Sequence, residues 1–148
     1  MIFLDTNVIY NFLFETELTD RAEEVIRSYY REGLAISTMV LNELLYVVGL
    51  KIARDEYGVR GRLSFRKYVA RYGYPSRAID TVLGFIKDFK IVVLPDHQDY
   101  HELVEIVKSF RLLPNDAQIA LTCRHYGIDT IATFDEDFKR VPWLRVVP

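Results

Sequence analysis

Five short apolar runs alternate with segments of helical periodicity along this chain, and that alternation restricts the fold more than any single residue does. The runs are Met1–Leu4, Leu34–Ile36, Ile91–Leu94, Thr130–Thr133 and Leu144–Val147, and each reads as a short strand. A helix is expected after the first run, as far as Phe14. Ala22, Val25, Ile26, Tyr29 and Tyr30 recur at helical spacing between Thr19 and Arg31. Thr19 or Asp20 is expected to cap that helix and Gly33 to stop it. Ser37 or Thr38 should cap a long, largely buried helix reaching about Asp55. Further helices are predicted over Leu63–Tyr72, Ser76–Phe89, Tyr100–Phe110 and Pro114–Tyr126. Short strands separated by helices predict an α/β fold: a three-layer α/β/α sandwich with a short, mainly parallel central sheet. The 148 residues, 50% of them hydrophobic, suit one domain over 1–148 with a sizeable core, and no repeat, low-complexity tract or linker divides them.

Four acids sit awkwardly in this pattern. Asp5 directly follows the first strand, and Asp135 lies just beyond the strand ending at Thr133. Asp116 falls in the first turn of its helix, with Asn115 as the expected N-cap and Gln118 at the capping-box position. Glu43 lies about two turns into the helix after the second strand. Its neighbours at i−4, i−3, i+3 and i+4 are Met39, Val40, Tyr46 and Val47, an apolar face expected to bury its carboxylate. In parallel sheets ligands gather at the carboxyl ends of strands, and all four acids can reach that edge. Taken singly, each has a plainer explanation: a cap for Asp5, helix-dipole complementation for Asp116, solvation for Asp135 or Asp137. As a set they call for a shared cation, because an uncompensated buried carboxylate is costly. Oxygen-only ligands suit Mg²⁺ or Mn²⁺, and such sites most often act on phosphate esters.

Net charge is −2, which makes no global case for nucleic acid, but its distribution is uneven. Residues 51–77 carry eight basic against two acidic residues, a surplus of six that leaves the remainder at −8. Arg60, Arg62, Arg66, Lys67 and Arg71 fall in this stretch, interleaved with Tyr57, Phe65, Tyr68, Tyr72 and Tyr74 as candidate stacking faces for RNA. A solvated helix pair or a surface for an acidic partner protein explains the same composition. His97 and His101 are spaced to share a helix face, without a third ligand for zinc. Cys123 lies in an apolar helical context and reads as a buried thiol. No glycine-rich phosphate loop and no nucleophile elbow occurs. Asp5 ends the N-terminal apolar run too early for a signal peptide. Met39–Leu50, the longest apolar stretch, is too short for a bilayer and is broken by Asn42 and Glu43. A cytoplasmic protein without a membrane span is expected.

Four blocks carry a resemblance: Leu4-Asp5-Thr6-Asn7-Val8, Asn42-Glu43-Leu44, Leu113-Pro114-Asn115-Asp116-Ala117-Gln118-Ile119-Ala120 and Thr133-Phe134-Asp135-Glu136-Asp137-Phe138. In order, approximate spacing and context they resemble the PIN-domain family, over essentially the full chain. The resemblance implies a metal-dependent ribonuclease, similar among small prokaryotic members to the toxin of VapBC toxin–antitoxin pairs. It implies Asp5, Glu43, Asp116 and Asp135 as the acidic quartet, Asp137 as a variably used second acid, and Thr6 and Thr133 as hydrogen-bonding supports. Mg²⁺ or Mn²⁺, an RNA substrate, an antitoxin partner and a homodimer follow from the same likeness. The stretch between Glu43 and Asp116 is longer than in a minimal toxin, and the basic segment lies inside that excess. Two other functions compete: a non-catalytic RNA- or partner-binding module on the same fold, and an aspartyl-phosphate phosphotransferase. The latter expects a second Asp where Asn7 stands.

Overall fold

The computed structural model describes residues 1–148. Five strands form, β1 (Ile2–Leu4), β2 (Leu34–Ser37), β3 (Val92–Leu94), β4 (Thr130–Ala132) and β5 (Arg145–Val147). They make one sheet in the order β3-β2-β1-β4-β5, and every pairing is parallel. Every residue of β1, β2 and β4 is buried, so the centre of the sheet is covered on both faces, whereas the edge strands β3 and β5 are partly open.

Parallel neighbours need crossover connections, and seven helices supply the covering layers. These are α1 (Thr6–Leu13), α2 (Thr19–Tyr29), α3 (Thr38–Tyr57), α4 (Arg62–Tyr72), α5 (Ser76–Asp88), α6 (Tyr100–Phe110) and α7 (Pro114–His125). α1 packs against α2 and α3, α3 also against α4 and α5, and α6 against α7, which in turn touches α3. One apolar core of 33 buried residues joins every helix but α4 to the sheet, and α4 packs on α3. No helix is long and apolar enough to cross a membrane.

The strand order places the functional edge. From β1 the chain steps outward to β2 and β3, then returns to the other side of β1 for β4 and β5. The direction of winding therefore reverses between β1 and β4, the crevice where open α/β sheets bind ligands.

Two caps differ from expectation. Leu18 holds the cap position of α2 without a side-chain bond; Thr19 instead turns its hydroxyl onto the carbonyls of Asn11 (2.9 Å) and Phe14 (3.1 Å). Leu113, not Asn115, precedes α7. Pro114 takes the first helical position, where its missing N–H costs nothing, and so moves the helix start back along the chain. Gln118 then forms no capping box and donates to the His97 carbonyl (2.7 Å) and Thr122 Oγ1 (3.3 Å). Of the two candidates for α3, Ser37 is the cap. His97 lies ahead of α6, stacked on His125 at 3.9 Å, so it shares no helix face with His101. Cys123 is buried and its thiol pKa is pushed far up by desolvation, as befits a core residue.

Candidate active site

Asp5 directly follows β1 and caps α1, two roles that the same backbone geometry allows. Its extended φ and ψ carry the strand into the helix, and its Oδ1 accepts from the Thr6 N–H at 2.7 Å. Oδ2 accepts from Asn7 Nδ2 (2.8 Å) and Thr133 Oγ1 (2.6 Å). The Thr133 hydroxyl in turn accepts from Asn7 Nδ2 (3.1 Å) and the Asp135 N–H (2.9 Å), so its single proton is committed to Asp5. Three of the four lone-pair positions on Asp5 are thereby filled, leaving one on Oδ1 for a proton or a metal ion. Asn7 completes the clamp by accepting the Phe134 N–H at 3.1 Å. In the sequence Asn7 stands out only as a departure from the phosphotransferase motif; the signal for its role is a polar side chain two residues beyond an acid at a strand end.

A cavity of about 420 Å³ opens at this edge and is lined by Asp5, Glu43, Asp116 and Asp135 together. Thr6 bridges two of them, its hydroxyl donating to Glu43 Oε2 at 3.2 Å. None of the four acids has an ion-pair partner. The electrostatic consequence falls on Asp5 and Asp116. Burial raises Asp5 to about 6 against its hydrogen bonds, with Glu43 and Asp116 adding repulsion. Asp116 is likewise raised to about 6, by burial and by repulsion from Asp135, Glu43 and Asp137.

Glu43 corrects the expectation of burial, for it is exposed. The reason is that α3 is apolar on more than one side. Val40, Leu44, Val48 and Ile52 face the core at i, i+4, i+8 and i+12, while Tyr46 and Val47 are half-buried and Val47 lines the cavity wall. Glu43 shares that second, wetter side. Asp137 stays outside the cavity lining and pairs with Arg140, whereas Asp135 caps the 3-10 turn Glu136–Arg140 through the Asp137 N–H (2.8 Å).

The basic segment also divides. Phe65 is buried between Tyr46 (5.9 Å) and Tyr74 (5.7 Å), and Tyr74 donates its hydroxyl to the Leu45 carbonyl. These two rings fasten α4 to α3 and offer no stacking face. Tyr57 and Tyr72 remain at the surface on either side of a half-buried Tyr68, in a row spaced 5.2 and 5.1 Å. Arg60, Arg62, Arg66, Lys67 and Arg71 are exposed and bridge to no acid.

An acidic cleft at the reversal point of a parallel sheet places the chain among open α/β proteins with a ligand crevice at the strand carboxyl ends. Within that class, the PIN domain model matches residues 2–144, and the chain belongs to that family. It is similar to Ribonuclease VapC6 of Methanocaldococcus jannaschii, 29% identical over 99% of this chain and 95% of the relative. Ribonuclease VapC2 of the same organism is 30% identical over 99% and 92%. In fold it is similar to a chain of VapBC2 from Rickettsia felis, solved bound to a promoter DNA fragment, with TM-score 0.67, 18% identity and coverage of 99% and 98%.

Proposed function

We propose that this protein is a divalent-metal-dependent endoribonuclease that hydrolyses phosphodiester bonds of single-stranded RNA, as the toxin of a toxin–antitoxin pair. The observation that carries the reading is the convergence of four carboxylates, none of them in an ion pair, on one cavity at the β1/β4 edge. The relatives named ribonucleases support the substrate class. The surplus of negative charge and the oxygen-only donors fit Mg²⁺ or Mn²⁺. No three of the acids stand close enough to hold one ion directly, so an ion shared by the set would be reached partly through water, as the hydrated Mg²⁺ ion allows.

Asp5, Asp116 and Asp135 would hold the ion, with Glu43 binding through water or orienting the attacking water. A bound ion would lower the pKa of a water and neutralise charge on the transition state. The Asn7–Thr133 clamp fixes the orientation of Asp5, and Thr6 fixes Glu43. The exposed arginines and tyrosines of α3 and α4 supply cations and ring faces for the RNA backbone and bases. Partners by this reading are RNA, an antitoxin that masks the cleft, and a second copy of the chain, in the cytoplasm. The test is incubation of purified protein with labelled RNA, with Mn²⁺ or with chelator. Cleavage with Mn²⁺ that is lost with chelator and in Asp5→Asn supports the reading; no cleavage with Mn²⁺ overturns it in favour of a binding module.

A further inference from the structure

A second cavity, of about 430 Å³, shares Asp135 with the acidic cleft and lies beside Thr133, the residue that donates to Asp5. Its walls include Leu18 and Arg21 from the start of α2, Phe134 after β4, Lys139 and Val146. The volume is within the range of small-ligand sites, about 300–1,000 Å³. Four cations line the two cavities. Lys51 and Arg54 are drawn to Asp55 and Lys139 is held by Glu136, whereas Arg21 has no carboxylate partner. Its guanidinium lies over the Phe134 ring, 5.5 Å from the centroid. That ring is itself held by the Phe134 N–H bond to Asn7 and by packing on the core.

We propose that Arg21 and Phe134 form a nucleotide subsite, which takes the RNA residue next to the phosphate held at the acids: Phe134 stacks the base and Arg21 binds the adjoining phosphate. A polyanion led into a cleft of four carboxylates needs a free cation immediately beyond them, and Arg21 is the one on the Asp135 side. An aromatic ring fixed next to a guanidinium is the arrangement that holds single-stranded bases without sequence readout. The subsite rests on the ribonuclease reading for its location but acts through binding, so the two are separable by experiment.

The experiment measures binding of a fluorescent single-stranded oligoribonucleotide by anisotropy across a salt series, without metal, alongside its cleavage with Mn²⁺. Arg21→Ala, an exposed helix position, and Phe134→Leu, which keeps the apolar bulk, are compared with wild type. Each is expected to weaken binding about tenfold, equivalent to about 1.4 kcal/mol. Arg21→Ala should also reduce the salt slope by about 0.7, because one phosphate fewer is neutralised, whereas Phe134→Leu should leave the slope unchanged. RNA affinity and slope unaltered by both variants overturn the subsite, even if the protein cleaves RNA. Affinity reduced as expected, in a protein that never cleaves, upholds the subsite and overturns the ribonuclease reading alone.

Discussion

At the scale of single residues, the site trades stability for charge. Asp116 is repelled by Asp135, Glu43 and Asp137 and makes no side-chain hydrogen bond in return. Asp116→Asn should therefore abolish cleavage while raising the metal-free melting temperature at neutral pH, by about 1 kcal/mol of added stability. Scanning calorimetry beside a cleavage assay checks both, and a less stable variant would contradict the electrostatic account. Asn7 behaves oppositely. It bonds Asp5, Thr133 and the Phe134 backbone at once, so Asn7→Ala leaves partners unmet and should destabilise by about 1–3 kcal/mol. Denaturant unfolding reads that loss. The sequence disclosed Asp5 and Asp116 from their places at a strand end and a helix start. It concealed Asn7, because a three-way clamp between β1 and β4 exists only once those strands are neighbours.

Among the elements, short apolar runs located the five strands, and helical spacing together with Gly and Pro punctuation located the seven helices. Where that reading failed, the cause was a competing partner outside the local window. Apolar neighbours on α3 predicted a buried Glu43, but a helix packed on several sides leaves one apolar face as a cavity wall. Phe65 and Tyr74 looked like stacking faces until α4 packed on α3 and enclosed them. The surface of α4 carries a prediction of its own. Arg66→Ala, Lys67→Ala and Arg71→Ala combined should weaken RNA binding and reduce the salt slope by about 0.7 for each phosphate no longer neutralised. Filter binding at several salt concentrations measures it, and an unchanged slope would assign this face to a protein partner.

Across the whole molecule, the acidic edge couples folding, protons and metal. Asp5 titrates at about 6 in the folded chain against an ordinary 3.8. Between those values the folded state retains a proton that the unfolded chain has released. Stability from this group is therefore complete below pH 3.8 and lost as pH rises through about 6. The loss is about 3 kcal/mol for Asp5, and Asp116 adds to it in the same direction. Metal-free protein should thus melt at lower temperature at pH 7.5 than at pH 5.5, and added Mn²⁺ should erase the difference by taking the proton's place.

The most direct measurement of the central claim is the melting temperature at pH 7.5 as Mn²⁺ is raised to millimolar levels, for wild type and Asp116→Asn. A cleft of uncompensated carboxylates that holds a divalent ion predicts a saturable rise in the wild type, worth about 2.7 kcal/mol at a hundredfold excess over Kd, and little or none in the variant. A flat wild-type curve, or the same rise in both proteins, would contradict it.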